Sequence, residues 1–415
     1  MHKLFNQGKL ASACLLAGVS PVLLAQGFWE DSKARLTLRN FYFNDDYRDG
    51  GEDRKEWAQG FLLNLQSGYT EGTLGFGLDA LGLAGLRLDS SPTHAGTGLL
   101  PVHDDGHAAS EFSSLGVTAK MRWGDAVVKT GTLLPKIPVL VHNDGRLLPQ
   151  TFQGTQVEYR GIRNLYLHAG HLDKFKQRNS TDSVAIYPQG YSGKQGSDFD
   201  FAGASYAFTP QLSGTWYYGE MREFYRQQFF GLVHKQPVGN GTLTSDLRYF
   251  ISSDAGEARN GKVDSDMFSG LFTYRLGAQA LGVGYQKVNG DTALPYASVS
   301  TVYSFTNAGV GKFIQAGEQT WMLRYDYDFE AVLPGLSFMT RYYKGRNGDY
   351  RGREAREWES DTNLRYVIQD STFKGLGVEL RKATYRSTYA SDRDNYRLYL
   401  TYDLAPVSYT HLTLP

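Results

Sequence analysis

The segment from Lys33 to Phe43 reads K-A-R-L-T-L-R-N-F-Y-F, with a cation at nearly every second position. In an extended chain successive side chains point to opposite faces. Lys33, Arg35, Thr37 and Arg39 then share one face, and Ala34, Leu36 and Leu38 the other. A guanidinium keeps its charge at any physiological pH and can grip a carboxylate through two parallel hydrogen bonds. The same parity puts Lys120, Arg122, Arg160, Arg248, Arg275, Arg324, Arg341, Arg365, Arg381 and Arg397 on polar faces further along. A column of such groups can bind anions and pass them on. Glu158, Asp246, Asp326 and Glu379 fall on the same faces and offer the cations a plainer use, balancing one another's charge.

Other chemistry finds little support. Gly75 and Gly77 lie in a strand pattern with no helix after them, which excludes a dinucleotide fingerprint. No Ser, His and Asp set carries a nucleophile-elbow motif, so no enzyme is expected. His103, Asp104, Asp105 and His107 read as a polar loop rather than a metal site, and Tyr47 interrupts the acidic run 45–53 where a calcium ligand is required. No cofactor is expected.

The elements that would carry the cations are strands with polar residues on one face and aliphatics on the other. Trp321, Leu323 and Tyr325 alternate with Met322, Arg324 and Asp326; Val378 and Leu380 alternate with Glu379 and Arg381. Cations inward and aliphatics outward make the wall of a water-filled tube in lipid. Short gaps such as 123–125, 209–211 and 276–279 alternate with long polar ones such as 82–110, 134–151, 171–197, 287–319 and 344–357. Tight turns at one end and long loops at the other mark an outer-membrane barrel. The count of segments gives an all-β, antiparallel transmembrane β-barrel of about 18 strands, with short periplasmic turns and long extracellular loops. Aromatics including Phe41, Phe43, Trp216, Tyr218, Tyr327, Phe329 and Tyr402 are expected in the interfacial girdles.

Bulk properties agree. Hydrophobic residues are 41% of the 415 and aromatics 14%, yet the mean hydropathy is -0.41, too polar for a helical bundle in lipid. Lys plus Arg equal Asp plus Glu at 43 each, leaving no basic excess for nucleic acid. Lys3 and Lys9 precede an apolar run from Leu10 to Leu24 and a small residue, Ala25, so 1–25 reads as a signal peptide. Cys14, the only cysteine, lies inside it. A barrel domain over 26–406 follows, and 407–415 (VSYTHLTLP) resembles a non-native extension.

GFWEDSKARLTLRNFYF (27–43), WAQGFLLNL (57–65), GTLLPKIPVLVHNDGRLLPQTFQG (131–154), YQKVNGD (285–291) and GEQTWMLRYDY (317–327) resemble the OprD-like (Occ) family of substrate-specific outer-membrane porins. The resemblance runs through nearly all of the chain after residue 25. It implies a monomeric 18-stranded barrel of the Gram-negative outer membrane, narrowed by inward-folded third and seventh loops. It also implies a basic ladder guiding small carboxylates, carried here by Arg39, Lys120, Arg122, Arg160, Arg324, Arg381 and Arg397. Asp144, Arg146 and Asp291 become candidates for the constriction. The stretches 247–250 with 261–264 and 361–369 with 383–386 resemble the branch associated with cyclic or aromatic carboxylates more than that for basic amino acids. The partners so implied are small carboxylate solutes, outer-membrane lipid and lipopolysaccharide, and the barrel-assembly machinery. Three other functions remain open: a channel for basic amino acids and small peptides, a weakly selective diffusion porin, and a barrel serving as platform for an enzyme or adhesin.

Overall fold

The computed structural model describes residues 26–404; the expected signal peptide and the 407–415 extension lie outside them. A single helical turn, α1 (Gln26–Glu30), leads into eighteen long strands. These are β1 (Lys33–Tyr47), β2 (Arg54–Gln66), β3 (Leu74–Asp89), β4 (Glu111–Trp123), β5 (Ala126–Leu133), β6 (Thr151–Ile162), β7 (Leu165–Lys176), β8 (Phe199–Ala207) and β9 (Leu212–Met221). They continue as β10 (Tyr225–Val238), β11 (Gly241–Asp254), β12 (Asp264–Leu276), β13 (Gln279–Asn289), β14 (Gln319–Asp328), β15 (Leu336–Tyr350), β16 (Arg353–Val367), β17 (Gly377–Ser387) and β18 (Arg393–Leu404). Each pairs antiparallel with the next, and β1 pairs with β18 from Leu36↔Leu404 to Tyr47↔Arg393, closing the barrel. Closure removes every free edge, the condition for crossing lipid with strands. The short strand Ser183–Ala185 extends the sheet only at the end of β7.

Hairpin geometry explains the tight end. Gly124, Gly239 and Gly277 sit in two-residue turns with φ of 53°, 56° and 55°, the left-handed conformation that matches strand twist. At the other end the connections 90–110, 134–150, 177–198 and 290–318 are long. The expected loop 344–357 is not one: β15 and β16 run to Tyr350 and from Arg353, leaving only two residues between them. Polar residues continue a strand wherever both faces meet water, so hydropathy alone ends it too early.

The core lies inside the barrel. Ile137, Val139 and Leu140 of the third loop (134–150), Ile186 of the fourth (177–198), and Leu294, Val302 and Ile314 of the seventh (290–318) pack on inward-facing Phe199, Phe201, Phe229, Phe250 and Met267. A second cluster sets Leu147 and Leu148 against Phe41, Phe43, Leu99 and Leu100. Phe41 and Phe43 are thus fully buried on the lumenal face, not in the lipid girdle where sequence placed them. Their parity with Arg39 already put them inside; the inward loops give them an apolar partner.

Candidate functional site

The third and seventh loops are stitched to each other across the lumen. Thr301 N donates to Val141 O at 2.9 Å, Asn143 Nδ2 to Val299 O at 2.7 Å, and Gln150 Nε2 to Ser298 O at 3.0 Å. Each loop is also bound to the wall. Arg39 on β1 reaches Asp144 at 2.7 Å and donates to the carbonyls of Arg146 and Leu147, so it anchors the third loop. On the far side Glu359 accepts Val310 N at 2.8 Å and Gly311 N at 2.6 Å, and Asp361 accepts Gly309 N at 3.2 Å. Arg248 lies over the rings of Tyr303 and Phe305 at 4.0 and 3.8 Å, and ion-pairs with Asp246.

These contacts leave a cavity of about 640 Å³ between the two loops and the wall of β1 and β15 to β18. Of the expected residues, Asp144, Arg146, Arg381 and Arg397 line it. Register explains the wall: Arg381 and Arg397 are directly opposed on β17 and β18, and Arg397 is opposed to Phe43 on β1. Like charges facing each other across a sheet repel. Arg381 is offset by Glu379 at 2.6 Å, Arg341 by Asp361 at 2.7 Å, and Arg393 by Asp45 at 3.1 Å.

Five cations lining the same cavity have no ion pair among the described residues; one, Lys382, alternates with inward Arg381 and Ala383 and stands by the Tyr396 ring, leaving four for the lumen. Arg397 donates to Asn395 Oδ1 and Gly309 O, both at 2.6 Å, and lies over Phe43. Arg146 donates to the carbonyls of Thr97 and Gly145, also over Phe43. Arg178 donates to Asn143 Oδ1 at 3.0 Å, and its Nε is buried without a partner. Lys312 stands 5.6 Å from the Tyr296 ring centroid. Burial, reinforced by repulsion from Arg397, pushes Arg178 down to about 10, still charged at neutral pH. Burial, then Arg178 and Arg146, lowers Lys312 below the ordinary lysine range. An excess of positive charge at a constriction can attract anions.

The remaining expected residues lie elsewhere. Arg324 is paired with Asp326 at 2.7 Å. Arg160 stands 3.7 Å from Glu158 and over the Tyr166 ring. Lys120 is bound to Asp79 and Ser67 O, both at 2.6 Å, and shares the Tyr69 ring with Arg122 near the tight-turn end. Asp291 is exposed and outside the cavity lining. Sequence reasoning missed Arg178 and Lys312, which sit on irregular loops where no periodicity assigns a face. It also missed Glu357, Glu359 and Asp361, whose i, i+2, i+4 spacing was a usable strand signal.

The family model for the outer membrane porin, OprD family, matches residues 26–406. The chain belongs to the OprD family. Its similarity to the porin-like protein GalP of Pseudomonas putida is 37% identity over 94% of this chain and 96% of that protein. Among solved structures it resembles OccK9 (OpdG) of Pseudomonas aeruginosa, with 41% identity and a TM-score of 0.90 over 92% of this chain and 100% of that one. It also resembles Pseudomonas aeruginosa OpdK solved with vanillate, with 41% identity and a TM-score of 0.88 over 91% and 100%. The protein is therefore an OprD-family porin of the Gram-negative outer membrane, a channel rather than an enzyme.

Proposed function

We propose that this porin is a substrate-selective, passive channel for small carboxylate-bearing solutes, with aromatic or cyclic carboxylates favoured, acting as a single barrel. The observation that carries the reading is the set of unpaired cations, Arg146, Arg178, Lys312 and Arg397, around a constriction of about 640 Å³. A carboxylate there gains charge-assisted hydrogen bonds that no acid of the protein already occupies. Tyr296, beside Lys312 in the cavity lining, supplies a face for a ring next to the charge. The preference for aromatic solutes draws further support from the likeness to the vanillate-bound porin. Arg381 completes the path on the wall, while Arg39 contributes by holding the third loop.

Single-channel conductance in planar bilayers tests this. Benzoate is expected to block the current at low concentration, with the block weakened by salt. Block by arginine instead would assign a channel for basic amino acids. A large conductance indifferent to both would leave a general diffusion porin.

A further inference from the structure

On the outer surface of the barrel, at the long-loop end of β13 to β16, one cation stands within an aromatic row and two just above it. Lumenal neighbours fix their direction: Met322, Tyr343, Glu357 and Glu359 are buried inside, so Trp321, Tyr342, Lys344, Arg346 and Trp358 point outward. Trp321 is 59% and Leu323 52% exposed, consistent with a lipid-facing surface. Register places Tyr285, Trp321, Lys344 and Trp358 side by side on four consecutive strands. The next row toward the loops runs Lys287, Gln319, Arg346. The rings of Tyr285 and Trp321 lie 4.8 Å apart, and those of Tyr342 and Trp358 6.1 Å apart. A groove of about 600 Å³ is lined by Val283, Trp321, Leu323, Tyr342, Lys344 and Arg346.

Several neighbouring and more distant cations of the outer rim are neutralised. Arg48 pairs with Asp46 and Asp394, Arg222 with Asp200, Arg356 with Glu354, and Arg386 with Asp394. Lys287, Lys344 and Arg346 have no ion pair among the described residues. Strands about 4.8 Å apart and a rise of about 3.4 Å per residue put these three within roughly 7–12 Å of one another. An uncompensated cationic triad at the height of an aromatic girdle is complementary to a multiply phosphorylated lipid whose acyl chains run down the apolar wall.

We propose that this face binds a phosphorylated glycolipid of the outer leaflet, the lipid A portion of lipopolysaccharide. Lys287, Lys344 and Arg346 hold its phosphates, and Trp321, Leu323 and Tyr342 line its chains. Native mass spectrometry of the full-length purified porin tests the idea with bisphosphorylated lipid A, its monophosphoryl form, a zwitterionic phospholipid and inorganic phosphate. Wild-type protein is expected to retain lipid A best and the monophosphoryl form less. The double variant K344Q/R346Q should bind lipid A about thirtyfold more weakly, at ~5-fold per cation near a charged lipid surface. R222Q, on a compensated part of the rim, should bind as wild type does. The gel mobility of the folded barrel and the single-channel conductance should be unchanged, since the substituted residues face away from the pore. Equal affinity of wild type and K344Q/R346Q, or equal retention of the zwitterionic lipid, would overturn the proposal. So would lipid A binding abolished by inorganic phosphate at equal concentration, because it would reduce the site to one for any phosphate.

Discussion

Substituting Gln for Lys312 separates anion recognition from charge balance. Lys312 lines the constriction on the seventh loop, with Arg178, Arg146 and Arg393 as its repulsive neighbours and Glu357 the nearest compensating influence. If lumenal cations merely offset acids, K312Q should destabilise the protein. If they form an excess, it should relieve repulsion while weakening anion block. A hydrogen bond to a charged group contributes about 1.5–3 kcal/mol net. Water in the pore screens part of that, so about 1–2 kcal/mol is expected, a 5- to 30-fold loss of benzoate affinity. Blocked-state lifetimes in planar bilayers give the affinity, and thermal unfolding gives the stability. The pH dependence has a definite sign. Burial holds the folded-state value of Lys312 below the ordinary 10.5. Between those two values the unfolded chain binds more protons, so stability rises with pH while benzoate affinity falls. K312Q should flatten both trends. An affinity within about twofold of wild type, or a clear loss of stability, would refute the reasoning.

Other perturbations probe the frame and the wall. E359A removes the acceptor for Val310 N and Gly311 N; leaving these donors unmet costs about 1–3 kcal/mol, and the freed loop should raise conductance and expose 309–312 to protease. R381A, at the cavity, should weaken benzoate block several-fold, whereas R324A, at a residue outside the lining and paired with Asp326, should change it less than twofold in the same bilayer assay. D144N removes a negative charge from the cavity lining; the larger excess of positive charge should strengthen benzoate block, measured at constant salt. G68A tests the seat of α1, because a Cβ there would run into the Gly27 carbonyl oxygen; relief requires backbone movement, with about 1–3 kcal/mol lost and visible as a lower unfolding temperature.

The barrel was legible because its signal is repeated eighteen times. Alternation on β14 and β17 sorts Arg324 and Arg381 inward and Leu323 and Leu380 outward without any tertiary knowledge. Arg146 and Arg397 were also within reach, one from a specific loop motif and the other from strand parity. The partners of these cations were harder to read. Whether an inward Arg is free depends on what faces it across the lumen, and that is set by loops whose sequence has no period. Arg39 illustrates the limit: it lies on the expected face, yet it is bound to Asp144, 105 residues further along. Lys312 and Arg178 illustrate the converse, since both enter the constriction from segments that sequence describes only as polar.

The seventh loop is gripped through its peptide groups: Glu359 and Asp361 take the N–H groups of residues 309–311, and Arg397 takes the carbonyl of Gly309. None of those bonds involves a side chain of the loop itself. Residues 310 and 312 can therefore be exchanged while the loop keeps its path, so the solute filter can diversify without redesign of the barrel that holds it. A porin scaffold fastened this way invites retuning at a few positions, by natural selection or in the laboratory.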